Sequence, residues 1–262
     1  MNWNRIIALM YRYIMLLRHD FGKAADTFYW PLIDIFSWGF MTIYISQTQL
    51  PQSNIANFLL SAIILWTVVY TVARDVAISF LDDMWDRNVI NLYCSPLKPT
   101  EFLISSLLIA VFRVMLTATV LVIVAYLFYS FNIFMLGIYF FIFFLILVVF
   151  SYAIGIFAIA LIMKFGPGVE IFAWSIPAIL SPISAVFYPL SILPQFVQYI
   201  ARLFPTSYIF EGMRTVLVGG PFNWQYLLIA GILDIFYLLG AYLLFFKVLN
   251  DVRKNGLIAR FS

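Results

Sequence analysis

Long apolar runs alternate with short polar breaks along this chain, and the lengths of the runs predict six membrane-spanning helices. A helix needs about 20 mostly apolar residues to cross a bilayer. Runs of about this length or longer cover residues 28–46, 55–80, 100–129, 133–163, 169–188 and 222–246. The pattern predicts an all-α membrane protein in which one transmembrane domain fills residues 1–262.

The segment before the first run, residues 1–22, predicts a separate amphipathic helix. Its apolar residues fall on one side of a helical wheel, and they are Trp3, Ile6, Ile7, Met10, Ile14 and Leu17. Arg5 and Arg12 fall on the far side. We expect a helix in the cytoplasmic interface with its arginines near anionic headgroups. The alternative is a basic leader to the first span.

The polar segment 81–99 reads LDDMWDRNVINLYCSPLKP and lies between the second and third spans. Asp82 and Asp83 suit the amino terminus of a helix, where a carboxylate complements the helix dipole. A short amphipathic helix on the cytoplasmic side has the shape to dock in a groove of a partner protein. A solvated connector is the alternative. The candidate coupling residues are Asp82, Asp83, Trp85, Asp86, Arg87 and Asn88.

The segment 189–221 is too interrupted for a span and too apolar for an ordinary loop, with prolines that include Pro194 and Pro205. Irregular backbone at membrane depth is tolerated only where protein or a cavity surrounds it. The segment therefore predicts a re-entrant helical hairpin at the outer end of a pathway. Glu211 and Arg214 are one turn apart and either pair or cap a surface helix. These four residues are the candidate outer gate.

Composition and charge strengthen the membrane interpretation and give it an orientation. Hydrophobic residues make up 65% of the 262 residues and charged residues 10%, against about 45–50% and about 25% in soluble domains. With six spans, twelve of the Lys and Arg residues fall on the side that holds both termini and two fall opposite. Because Lys and Arg stay on the cytoplasmic side, both termini are expected there, in a multi-pass protein of the cell membrane.

Among the charged residues of the predicted spans, three are singled out, namely Asp34, Arg113 and Asp234, while Arg74 and Asp75 lie near the end of the second run. Such charges are costly in a bilayer and pair with one another or mark a pathway. We expect Arg113 to pair with Asp34, Asp75 or Asp234 in the interior of the bundle. A structural salt bridge is favoured over a proton relay, since no histidine lies inside a span.

Catalytic chemistry is missing from the sequence. It contains no G-x-x-x-x-G-K-[ST] loop for ATP phosphates, no His/Cys cluster for a metal, and no G-x-S-x-G or H-E-x-x-H motif. We therefore expect no cofactor, no metal and no enzymatic activity of the chain itself.

The two interrupted segments resemble those of the membrane subunits of type-2 ABC exporters, the ABC-2 family. In the cytoplasmic segment the resemblance rests on 83–93, followed by Ser95-Pro96-Leu97 and Glu101. In the outer segment it rests on Leu193-Pro194, Pro205-Thr206-Ser207-Tyr208, Glu211 and Arg214. The order, spacing and sidedness of these pieces carry the similarity, which covers nearly the whole chain.

The resemblance implies a permease that works with a separate ABC ATPase. Two permease subunits, expected to be a homodimer, would pair in the lipid bilayer. Two copies of the ATPase would grip their coupling helices, and nucleic acid would have no part. The expected cargo is a lipophilic, amphipathic or glycan-type substrate. Polysaccharide exporters of the family carry a basic stretch before the first span. Here residues 23–31 read KAADTFYWP, which weakens the case for a glycan.

Two other classes of function remain open at this point. An ATP-independent transporter or channel predicts related halves and an ion site at the midplane. An intramembrane enzyme of lipid metabolism predicts a polar catalytic cluster. The sequence has no convincing repeat and no such cluster.

Overall fold

The computed structural model describes residues 1–48, 53–86, 88 and 95–254, and the regular structure of these residues is helical. The α-helices are α1 (Trp3–His19), α2 (Phe21–Thr48), α3 (Ser53–Trp85), α4 (Pro99–Tyr129), α5 (Ile138–Phe165), α6 (Phe172–Ile183), α7 (Gln195–Ala201), α8 (Pro205–Leu217) and α9 (Trp224–Lys254). Short 3₁₀ turns cover Ile133–Leu136, Pro167–Val169 and Leu190–Ile192.

Four of the helices in the described residues, α3, α4, α5 and α9, are long and apolar enough to cross a membrane. They coincide with four of the predicted runs, those at 55–80, 100–129, 133–163 and 222–246. A multi-pass, all-helical membrane protein is thereby confirmed. The helix α2 contains the run 28–46 and has 28 residues, but it lacks the composition of the other four.

The predicted run 169–188 does not form one continuous helix, which corrects the expectation for the fifth span. Its helix α6 has 12 residues, or about 18 Å at about 1.5 Å per residue, and this is short of a bilayer core of about 30 Å. The helix ends at Ile183 because the chain turns there. Ala185 has a φ of 52°, a left-handed conformation that an α-helix does not continue through.

The centre of the bundle is formed by α3 and α5, which pack on each other and bury most of their apolar length. Their close approach depends on Gly155. A Cβ atom there would lie 2.6 Å from the Cβ of Val76 and 3.0 Å from the carbonyl oxygen of Ala73. Helices α2, α4 and α6 pack around α3, and α9 packs along α5. Small residues at such contacts let membrane helices approach closely.

The segment after α6 folds back into the bundle. Between α7 and α8, the Phe204 ring has its centroid 6.4 Å from that of Phe150 and 6.1 Å from that of Tyr237. Phe150 lies 12 positions after Ile138, the start of α5, and Tyr237 lies 13 positions after Trp224, the start of α9. These offsets correspond to about 18–20 Å along the two helices. The turn between α7 and α8 therefore reaches about halfway along both long helices.

Candidate functional site

The end of α3 is fixed by contacts to the carboxylate of Asp83. Asp83 is fully buried. It accepts hydrogen bonds from Arg12 Nη2 at 2.5 Å, the Tyr13 hydroxyl at 3.0 Å and Asn88 Nδ2 at 3.2 Å. Burial, with the nearby Asp83 carboxylate, raises the pKa of Tyr13 well above its ordinary value. The hydroxyl therefore stays protonated and donates.

The expectation that Asp82 and Asp83 begin a separate helix is wrong. Both lie in the last turn of α3, and both are buried. The apolar run ends at residue 80, but the helix continues because α1 supplies partners for Asp83. Trp85 and Asp86 are exposed just beyond. Asn88 donates its backbone N–H to the Asp83 carbonyl at 2.8 Å, and Arg87 lies outside the described residues.

The start of α4 is also held by α1. The buried Glu101 carboxylate accepts from the backbone N–H of Asn2 at 2.7 Å and of Lys98 at 3.0 Å. Arg5 Nη1 lies 3.6 Å from Glu101 Oε2 and donates to the Pro96 carbonyl at 2.5 Å. The bond to Lys98 caps the amino terminus of α4 as a capping box does. Both ends of the segment 86–98 are thus attached to one helix.

The amphipathic helix of residues 1–22 is observed as α1, but its arginines are not placed as expected. Arg5 and Arg12 bind carboxylates of this chain rather than facing outward to headgroups. The buried residues of α1 are Ile6, Leu9 and Tyr13, whereas Ile7 is exposed. Helix α1 is therefore docked on α4 and α2 along this stripe.

The four candidate gate residues lie in one outer segment, and Glu211 and Arg214 do pair. Arg214 Nη1 is 2.8 Å from Glu211 Oε1, on adjacent turns of α8. Glu211 Oε1 also accepts from the backbone N–H of Leu190 at 2.7 Å. Pro194 immediately precedes α7, and Pro205 is the buried first residue of α8.

Arg214 binds the backbone of the turn after α6. Its Nη2 donates to the carbonyls of Ala185, Val186 at 3.2 Å and Tyr188 at 2.6 Å. Its guanidinium carbon lies 4.4 Å from the centroid of the Phe58 ring of α3. A guanidinium with five N–H groups suits such a set of carbonyls, and it fixes the path of the turn.

The intramembrane charges Asp34, Arg113 and Asp234 do not pair with one another. Arg113 Nη1 lies 3.6 Å from Asp75 Oδ2, and Asp75 Oδ1 lies 3.2 Å from Arg74 Nη2. Arg74 also lies 3.3 Å from Asp26. The four residues Asp26, Arg74, Asp75 and Arg113 form a chain of alternating charge that links α2, α3 and α4.

The other two members of the proposed charge set lie apart from Arg113. Asp234 is buried on α9, and among the described residues its Oδ1 has no hydrogen-bond partner. Asp34 is exposed on α2 and lines a cavity. Of the three carboxylates considered for Arg113, Asp75 is the one that the fold brings to it, because α3 packs between α2 and α4.

This cavity lies between α2, α3 and α6 and has a volume of about 340 Å³. Aromatic side chains dominate its lining: Trp30, Trp38, Trp66, Tyr70 and Phe187. Asp34, Arg74, Thr67, Thr71 and Ser181 supply its polar groups. A concave, largely apolar site with a few polar groups is the usual form of a small-molecule site.

Two residues of the cavity lining form an aromatic pair. The rings of Trp38 and Phe187 stack with centroids 4.3 Å apart and planes 13° apart. Phe187 belongs to the turn whose carbonyls bind Arg214. The outer segment therefore positions one wall of the cavity.

Sequence reasoning missed Asn2, Tyr13 and Phe187. Asn2 acts through its backbone N–H, which no side-chain pattern reveals. Tyr13 falls outside the apolar stripe of the predicted amphipathic helix, although its four-residue spacing from Leu9 is helical. Phe187 lies in an apolar run, where nothing in the sequence distinguishes it from its neighbours.

The chain matches a known protein family. The family model described as ABC-2 family transporter protein matches residues 34–246, which is most of the chain. No curated protein matches the chain. The matched range includes the end of α3, the outer segment and the cavity residues from Asp34 onward. The protein belongs to the ABC-2 family of transporter proteins.

Proposed function

We propose that the chain is the permease subunit of an exporter that is driven by a separate ABC ATPase. The family supports a transport subunit of the membrane. In the proposed assembly two permease chains form a homodimer in the cell membrane and bind two ATPase subunits. In this proposal α2 and the segment 169–188 complete six crossings, the second of them broken after Ile183 rather than one continuous helix, and both termini are cytoplasmic.

The observation that carries the proposal is the construction of the cytoplasmic end of α3. Trp85 and Asp86 are exposed there, while Asp83 just behind them is buried and bound by α1. An exposed aromatic ring and an exposed carboxylate on a helix end that is held in place suit a contact that transmits movement of a partner protein. In the proposal Asp82 and Asp83 support this end from within, and Asp86, Arg87 and Asn88 are the residues that bind the ATPase.

The packing of α3 gives such a contact a route into the membrane domain. Helix α3 packs against α2, α4, α5, α6 and α8. A displacement of its cytoplasmic end therefore reaches both the cavity and the outer segment that holds Glu211 and Arg214. ATP binding would favour one arrangement of the ATPases, and differential contacts would shift the permease with it.

Co-purification with an ABC ATPase, sought among the reading frames next to that of this chain, tests the proposal. The double variant Trp85→Ala/Asp86→Ala is expected to lose the ATPase and ATP-dependent transport in vesicles. A matched control is Lys164→Ala/Phe165→Ala, which removes an exposed aromatic and a charge from the end of α5. It is expected to retain more of both than the α3 variant. Equal losses in the two variants would remove α3 as the contact.

A second measurement tests the ATP requirement. Vesicles that hold the permease alone are expected to show no uphill transport, with or without ATP. Uphill transport by the permease alone would favour an ATP-independent transporter instead.

A further inference from the structure

The lining of the cavity between α2, α3 and α6 has the chemistry of a cation site. Three tryptophans, one tyrosine and one phenylalanine contribute to the lining. Aromatic faces carry negative potential, and tryptophan attracts organic cations most strongly. A volume of about 340 Å³ lies within the range of small-molecule pockets, about 300–1,000 Å³.

The positive and negative side chains around the cavity do not balance, because there is one more carboxylate than there are cations. Arg74 lines the cavity, but it is shared between Asp26 and Asp75, and Asp75 also meets Arg113. Two positive and two negative groups cancel in that chain. Within residues 1–48, 53–86, 88 and 95–254, Asp34 makes no salt bridge. The cavity therefore has an excess of one negative charge.

The position of Asp34 adds to this argument. It lies six residues into the predicted run 28–46 of α2, about 9 Å along the helix from the start of that run. A carboxylate at such a depth is costly unless it faces a partner or a water-filled space. Trp38 lies one turn further along α2 and Trp30 one turn before, so three cavity residues share one face of the helix.

We propose that this cavity binds lipophilic organic cations, with Asp34 as the counter-ion and the aromatic rings around the apolar body. The proposal names the substrate class of the exporter and rests on the function proposed above. The Asp34 carboxylate attracts the cationic group, and Trp30, Trp38 and Trp66 add cation–π and apolar contacts. Thr67, Thr71 and Ser181 offer hydroxyl groups to polar substituents. An anion of the same size would meet repulsion from Asp34.

Binding to the purified permease in lipid nanodiscs, without the ATPase, tests the proposal. Benzyltrimethylammonium is the cationic probe and p-toluenesulfonate the anionic control, and isothermal titration calorimetry measures both. The wild-type chain is expected to bind the cation and not the anion. Asp34→Asn is expected to weaken cation binding by about tenfold or more, since the coulombic attraction between the carboxylate and the quaternary ammonium is lost.

Two further variants separate the site from general effects. Asp234→Asn neutralises an intramembrane carboxylate that does not line the cavity, and it is expected to leave the affinity for the cation unchanged. Trp30→Leu removes one aromatic face and is expected to weaken binding less than Asp34→Asn does. Equal binding of the two probes would overturn the proposal. Asp34→Asn with wild-type affinity would do the same, provided that it elutes from gel filtration as the wild type does.

The result is independent of the ATPase. Loss of cation selectivity with intact ATPase assembly would refute the substrate class and leave the exporter standing. Failure to assemble with any ATPase would refute the exporter, whatever the cavity binds.

Discussion

The indole of Trp38 on α2 stacks on the ring of Phe187 in the turn after α6, with centroids 4.3 Å apart. The pair joins two elements that are about 150 residues apart in the chain, and both rings line the cavity that Asp34 also lines. The turn that carries Phe187 is bound in its turn by Arg214 of α8. The segment that holds Arg214 is therefore linked to the wall of the cavity through the turn that carries Phe187.

Replacement of Phe187 by alanine removes part of the cavity wall and is expected to make the interior of the cavity more accessible to reagents. The test uses a Thr67→Cys reporter, whose position lines the cavity, after the single native cysteine, Cys94, is changed to serine. A membrane-impermeant maleimide added outside is expected to label the reporter faster in Phe187→Ala. The control Phe196→Ala removes an exposed ring of α7. Equal labelling rates in the two variants would mean that Phe187 does not restrict access to the cavity.

Replacement of Arg214 by alanine is expected to destabilise the fold by about 2–3 kcal/mol, because it removes the ion pair with Glu211 and leaves backbone carbonyls of the turn without their donor. Lysine at 214 keeps the charge but lacks the fork of N–H groups, and an intermediate loss is expected. Thermal unfolding of the purified protein measures both. The control Arg202→Ala alters an exposed arginine and is expected to cost no more than about 0.5 kcal/mol. If Arg214→Ala unfolds at the wild-type temperature, the contacts of Arg214 to the turn do not stabilise the fold.

Replacement of Asp83 by alanine is expected to release α1 from the end of α3. Arg12, Tyr13 and Asn88 lose their shared acceptor, at a cost of about 2–3 kcal/mol, since Arg12 is partly exposed. Limited trypsin digestion is expected to cleave after Arg12 faster than in the wild type. Asp86→Ala, a loss of an exposed carboxylate three residues further on, serves as the control. Identical digestion of the two variants would show that Asp83 does not hold α1.

A double-mutant cycle is expected to detect the pair Arg113–Asp75. Arg113→Met and Asp75→Asn should be coupled by about 0.5–3 kcal/mol, because each single change breaks the same contact. The combination of Arg113→Met with Asp234→Asn should be additive to within about 0.5 kcal/mol. Unfolding by heat supplies the free energies for both cycles. Additivity in the first cycle would contradict the ion pair.

The long helices could be predicted from the sequence because run length reports them directly. The runs 55–80 and 100–129 differ from α3 and α4 by only a few residues, mostly where polar residues continue a helix. The end of α3 could not be predicted, since Asp82 and Asp83 look like residues of a helix start. They remain in the helix because Arg12 and Tyr13, about 70 positions earlier, meet Asp83.

The candidate site was predictable where its residues interact locally. Glu211 and Arg214 are neighbours on one helix face, so their pairing follows from their spacing. Arg113 needed tertiary information, because three carboxylates on three different spans were equally good partners by sequence. The break of the run 169–188 at Ala185 was also hidden, since alanine is not a residue that signals a left-handed turn.

The docking of α1 imposes an order on the biosynthesis of the protein. Arg12 must wait for Asp83, which leaves the ribosome 71 residues later, or roughly 4–14 s later at about 5–20 residues per second. The backbone N–H of Asn2 must wait 99 residues for Glu101. Helix α1 is therefore made before its partners and docked late, and the ends of α3 and α4 that it contacts are joined only after α4 has begun to emerge.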